Sequence, residues 1–256
     1  PTKFGKLKFG LLSCNEYTTL LAKEPEADLW ADLSKRIDEF EVEYLIHNGD
    51  QVYMDSAYGD REKSVLHFGG VNYSKPYHQI MNILRNTPKE EWKKQTPQLL
   101  EILKDEYRRT WGLPSVRKVL AKVPSIMVFD DHEIRDDWGY LEKDWDPSTA
   151  DYFYGQLARI VYYKYEKQLQ IDINFDDLSN ITREYFHTGI NGVGFFFLDY
   201  RGVRSWFRNE SDIQNSQLGQ KQKEYITTLL GPEGAFARSE ERRVGKECRS
   251  RWSPYH

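Results

Sequence analysis

Two stretches of this chain put acids at the end of apolar runs. Asp130-Asp131-His132-Glu133 follows Ser125-Ile126-Met127-Val128-Phe129, and Gly49-Asp50-Gln51-Val52-Tyr53 closely follows Tyr44-Leu45-Ile46. A buried strand that ends in carboxylates sets hard oxygen ligands, here with one imidazole, at the C-terminal edge of a sheet, where α/β proteins build their sites. Burying that much charge costs several kcal/mol unless it is paired or metal-bound. Two such edges point to a divalent or trivalent metal centre, and so to the chemistry of phosphoester hydrolysis. Gly49 permits a tight turn, and the Asp50 carboxylate beyond it can bridge two cations. Tyr53, three residues on, can curl back to the same point, and a phenolate is a good ligand for ferric iron. Cys14 closes an earlier apolar run, and its thiolate would favour zinc or iron over magnesium.

Plainer readings stand beside these. Gly-Asp is a common turn pair. An acidic run is also at home on a solvated helix N-terminus. A lone cysteine is usually a core residue. In Leu198-Asp199-Tyr200-Arg201-Gly202-Val203-Arg204 the arginines can clamp phosphate in a bidentate fork or pair with surface acids. His47, His67, His78 and His187 have no partner evident from spacing and are read as structural.

The elements that must position these residues follow from periodicity. Leu7–Ser13 reads as a first strand and Ala27–Phe40 as an amphipathic helix, with Leu29, Trp30, Leu33, Ile37 and Phe40 on one side. Tyr44–Ile46 is a second strand, so the β-α-β order favours a parallel pair. Residues 60–86 read as loop-rich. Helices are expected at Pro97–Trp111, Val116–Leu120, Tyr152–Leu169 and Leu218–Leu230, the last closed by Gly231-Pro232. Ser125–Phe129 is a buried strand. Ile181–Phe186 and Gly194–Asp199 are expected as neighbouring strands about a turn at residues 189–192.

The 256 residues suit one large α/β domain, with no Gly/Ser/Pro-rich linker to divide it. A net charge of −4 gives no reason to expect nucleic-acid binding. No run of about 18 apolar residues is present, so no membrane span is expected. Two distant cysteines do not make a disulfide framework. The N-terminus has no signal-peptide apolar core, but it starts at Pro1 without Met, so the chain is expected to be processed or a fragment. The compartment stays open between cytoplasmic and secreted or periplasmic. Residues 238–256 carry six Lys/Arg against three Glu with almost no aliphatic residue, and read as a non-native tail. That tail is net +3, so the remainder, a domain at 1–237, is −7.

Taken together the chain resembles the PhoD-like branch of the calcineurin-like metallophosphoesterases. The resemblance is carried by Phe9–Asn15, His47–Asp55, Phe129–Glu133 with Trp138-Gly139, Phe197–Arg201 and Gln217–Gln222, five blocks in the family's order. It implies an αββα sandwich of mixed sheets flanked by helices, with metals at the strand ends. Carried over, Cys14, Asp50, Tyr53 and Asp131 match metal-ligand positions, with Asp50 bridging. His132 matches the group that protonates the leaving oxygen or stabilises the transition state, and Arg201 is a phosphate contact. The implied cofactor is a dinuclear centre of iron plus calcium, with zinc or manganese as alternatives. The implied activity is a metal-dependent phosphatase or phosphodiesterase acting on a small-molecule or lipid-like phosphoester. The family carries a further Asp- and His-rich block after the helix near Leu218 that this chain lacks. A C-terminal truncation is therefore expected, and a non-catalytic domain without a complete metal site is the alternative. A nuclease or phospholipase on the same fold is a further alternative. Oligomeric state is not legible.

Overall fold

The computed structural model describes residues 6–16, 28–55, 65–68, 71–174, 184–202 and 218–231, with the side chains of 65–68 and 71–73 left aside. The expected tail at 238–256 and residues 181–183 of an expected strand lie outside these.

Strand β1 (Phe9–Leu12) leads through helix α1 (Leu29–Phe40) to β2 (Tyr44–Asn48). The Asp28 side chain caps α1 by accepting the Ala31 N–H at 2.9 Å. The helix ends where Glu41 turns left-handed, and it buries Trp30, Ser34 and Ile37. β1 and β2 pair in parallel, Phe9 opposite Tyr44 and Leu12 opposite His47. β5 (Ser125–Val128) pairs in parallel with the other edge of β2, giving the order β1-β2-β5. The fold therefore brings the C-terminal ends of all three strands to one edge.

β2 runs two residues beyond its apolar sequence because His47 is satisfied in place. Its Nδ1 lies 2.9 Å from Gln51 Oε1 and its Nε2 3.1 Å from Ser125 Oγ. These are the partners that spacing could not show.

The segment expected to be loop-rich is largely ordered. It holds an antiparallel hairpin, β3 (Val65–Phe68) with β4 (Val71–Ser74), and helix α2 (Pro76–Arg85). Pro76 stands in the first turn of α2, where its missing N–H costs nothing. Helix α3 (Trp92–Trp111) begins five residues before the expected Pro97, which lies inside it. The early start is anchored by Trp92, whose indole N–H donates to the Leu84 carbonyl in the last turn of α2 and to the Thr87 carbonyl just past it. Helix α4 (Pro114–Leu120) precedes β5. Helix α5 (Ala150–Tyr165) stops four residues short of the expected end and passes into a short 3-10 turn. Strands β6 (Phe186–Ile190) and β7 (Val193–Phe197) form a hairpin whose loop is only Asn191-Gly192, both at positive φ, as a two-residue turn requires. Helix α6 (Gln220–Leu230) follows.

The larger apolar core joins α2, α3 and α5 to Val52, Met54, Phe129, Ile134 and Trp138, residues just beyond the strand ends. A smaller one packs Trp30 and Ile37 of α1 against Leu45, Val116 and Val119. The site edge is thus carried on a packed base. Among the described residues no helix is long and apolar enough to cross a membrane.

Burial holds the His47 ring down at about 4, against the pull of its Gln51 hydrogen bond. Neutral His47 therefore contributes its full stability above pH 6.5. That contribution is lost as pH falls from 6.5 towards 4, where the unfolded chain takes up a proton first; the loss is about 3 kcal/mol. Urea unfolding of metal-free protein is expected to weaken across that window, and His47→Gln to flatten the fall. A variant curve parallel to the wild type would remove His47 as the cause.

Candidate metal centre

The loops beyond β2 and β5 cross in near contact. Gly49 has φ +91°, and a Cβ there would lie 2.4 Å from Asp130 Cβ and 2.9 Å from its backbone nitrogen. Only glycine fits. Asp50 is also left-handed at φ 57°, as is Cys14 at 59°. Non-glycine residues hold such conformations at a cost of about 1–3 kcal/mol each, and they cluster at functional sites. The β1 loop docks on the same turn, with Cys14 N–H donating to Gly49 O at 3.2 Å and Asn15 N–H to Asp50 O at 2.7 Å. The Met54 N–H donates to His132 O at 2.9 Å, tying the β2 loop to the β5 loop.

Buried Asp50 is the centre of the arrangement. Its Oδ2 faces Cys14 Sγ at 3.6 Å and Tyr53 OH at 3.3 Å, and its Oδ1 accepts the His132 N–H at 3.2 Å. Ligand atoms of Asp50, Asp131 and His132 lie within 4.8 Å of one another. Asp131 Oδ2 accepts the Asp137 N–H at 2.6 Å, and its Oδ1 lies 3.3 Å from Arg201 Nη2. Arg201 also pairs with Asp130 through Nε. All six residues singled out in the sequence, Cys14, Asp50, Tyr53, Asp131, His132 and Arg201, meet at this edge. Arg201 is held there by carboxylates. A second acidic group, Asp131 with exposed Asp136 and Asp137, is of a kind common on solvated loops.

Two further residues bear on the site. Asp55 accepts from His132 Nδ1 at 2.7 Å through Oδ1, and from the Asp136 N–H at 2.7 Å through Oδ2. An acceptor on Nδ1 fixes the imidazole tautomer and leaves Nε2 for other work. The Tyr53 ring stacks on the imidazole, centroids 4.1 Å apart. Buried Glu133 accepts N–H groups from both loops, Gln51 at 2.5 Å and Asp130 at 2.9 Å. Asp55 lies two residues past Tyr53 and Glu133 ends the acidic run, but only the fold shows what they touch. His187 Nδ1 meets Tyr225 OH at 2.5 Å, away from this cluster.

The electrostatics are those of acids short of cations. Burial raises Asp50, with Asp130 adding to it and His132 opposing. Burial pushes Asp131 up to about 6 despite Arg201. Burial and Asp50 raise the Tyr53 phenol, and burial raises the Cys14 thiol. Burial pulls His132 down, but Asp55, Asp131 and Asp50 outweigh it and hold the ring at about 9. A cation among these groups reverses every one of the acid shifts. Carboxylates, phenol, thiol and imidazole converging on one point form a donor set that fits a metal ion.

Gly49→Ala adds a methyl group against backbone in a left-handed turn. It is expected to cost about 2–4 kcal/mol, read as a lowered thermal midpoint of the metal-free protein. An unchanged midpoint would show that the loops can part without cost.

Comparison with known proteins gives a family and a similar fold. A family described as PhoD-like phosphatase matches residues 9–235, a span that includes the three parallel strands and all six residues at the edge. A comparison with curated proteins finds no match. A solved structure titled "Structure of PhoD" is similar in fold, with a TM-score of 0.53 at 18% sequence identity. The likeness covers 88% of this chain and 40% of that one, so the chain spans well under half of that structure's length. Parallel and antiparallel sheets with flanking helices are shared at the level of fold. With its family matched over 9–235, this chain belongs to the PhoD-like phosphatases.

Proposed function

We propose that the chain carries the metal-dependent phosphoester hydrolase site of its family, in which Asp50 would help to hold both of two ions. The observation that carries the reading is the convergence of Cys14, Tyr53 and the β5 loop on one buried carboxylate. Cys14 and Tyr53 would hold one ion, and a thiolate with a phenolate favours iron. Asp131 would hold the other, whose carboxylate surroundings suit calcium; zinc or manganese are alternatives. Bound there, the ions would supply positive charge to polarise phosphoryl oxygens and lower the pKa of water towards neutrality.

The remaining work belongs to the chain. His132, its tautomer set by Asp55 and its plane by Tyr53, would give a proton to the leaving oxygen from Nε2. Arg201, held beside Asp131, would offer its guanidinium to the phosphoryl group. The parallel sheet and the β6–β7 hairpin are read as the two sheets of an αββα sandwich. Phe9 of β1 meets Phe195 of β7 edge-on at 5.7 Å, a contact between those sheets.

A second reading, a PhoD-like domain without a working two-ion centre, is favoured by one observation. Among the described residues His132 is the only histidine in the cluster, and both Asp131 oxygens are already engaged. Hydrolysis of p-nitrophenyl phosphate and of its bis ester, with metal content measured by elemental mass spectrometry, separates the two. Asp50→Ala is expected to lose both metal and turnover. His132→Ala is expected to keep its metal and lose turnover by about 10²–10⁴-fold. Metal bound without hydrolysis of either ester would favour the second reading.

Asp55→Asn keeps the shape but removes the charged acceptor on His132. It is expected to lower kcat by about tenfold or more with metal content unchanged. Turnover equal to wild type would show that His132 needs no such partner.

A further inference from the structure

Glu133 is fully buried, and its two carboxylate oxygens are spent on two different strand ends. Oε1 takes the N–H of Gln51, the residue after Asp50, at 2.5 Å. Oε2 takes the N–H of Asp130, the residue before Asp131, at 2.9 Å. Each of those aspartates is a proposed ligand, and the chain separates the two loops by about eighty residues. Gly49 presses on Asp130 from the same crossing. A pair of N–H donors can be satisfied together by one carboxylate, whose oxygens both accept. An amide in its place offers one acceptor and turns its NH₂ against the second N–H.

We propose that Glu133 is a positioning residue, whose carboxylate clamps the β2 and β5 loops and so sets the separation of Asp50 from Asp131 across which a pair of divalent cations is held. This rests on the two-ion reading above. Glu133 contacts neither substrate nor the reacting atoms. It acts through the backbone of Gln51 and Asp130. The other ties between these loops, His132 N–H to Asp50 Oδ1 and Met54 N–H to His132 O, both run through His132 and do not hold Asp130 itself.

The test is a manganese(II) titration of the purified chain followed by electron paramagnetic resonance, which reports affinity and whether two ions are spin-coupled. Wild type is expected to bind two coupled ions. Glu133→Gln is expected to bind one of them roughly tenfold or more weakly and to lose the coupling signature. Its metal-free melting temperature is expected to fall modestly, since one buried N–H loses its acceptor, so affinity and coupling are compared on folded protein. Glu166→Gln serves as the control. Glu166 is equally buried but accepts the Tyr107 OH at 2.6 Å and ties no loop of the site, so its affinity and coupling are expected unchanged. If Glu133→Gln binds manganese as wild type does, or if Glu166→Gln loses affinity equally, the proposal is overturned while the metal reading stands. If wild type itself binds no manganese, the metal reading fails and takes the proposal with it. Should Glu133→Gln not fold, Glu133→Asp carries the test: it keeps both acceptors on a shorter stem, and unchanged affinity overturns the proposal.

Discussion

The contact of Gly49 with Asp130 is the constraint on which the site depends. Parallel pairing of β1, β2 and β5 brings three strand ends to one edge, but adjacent strands alone would leave their loops splayed. Because Gly49 has no side chain, the β2 loop can lie on the β5 loop, and Asp50 then points across at the backbone of His132. Every other feature of the edge follows from that crossing. Cys14 docks on the Gly49 carbonyl, Tyr53 folds back over His132, and the buried Glu133 closes the gap behind. The apolar core beneath holds Val52, Met54, Phe129 and Ile134, so each loop is anchored by apolar residues that flank or alternate with its polar ones.

Charge balance follows from the same compactness. Asp50, Asp131 and Glu133 are buried within this small volume, with Asp130 at its margin. Facing them are Arg201 and His132. Burying an unpaired carboxylate costs several kcal/mol, whereas a hydrogen bond to it returns only about 1.5–3. Backbone N–H donors soften the imbalance without removing it. The acidic edge is therefore built at a cost to the fold, as is common where perturbed carboxylates cluster.

That Cys14, Asp50, Tyr53, Asp131 and His132 lie near one edge was legible because apolar runs end in groups that water would otherwise claim, whereas Arg201 came with the family resemblance. The parallel pair was legible because α1 carries a clean helical period between two short strands. The hairpin at residues 65–74 was not, since four-residue strands give too little alternation to read, and Pro76 marks a helix start as readily as a loop. The start of α3 lies five residues before the expected Pro97 because its anchor, Trp92, bonds back to the end of α2, a contact that periodicity does not show. Asp55 and Glu133 escaped notice as site residues because their partners lie 77 and 82 positions away. Their type was visible, and their pairing was a product of the fold.

The left-handed turns at Cys14 and Asp50, and the buried acids between them, carry one more consequence. A ligand that binds only the folded form shifts the folding equilibrium by mass action, by about 2.7 kcal/mol at a hundredfold excess over its dissociation constant. Strain and unbalanced charge at the edge weaken the empty fold, and an ion that relieves them restores it. If the proposed ions bind there, the lifetime of the chain against proteases would follow their supply.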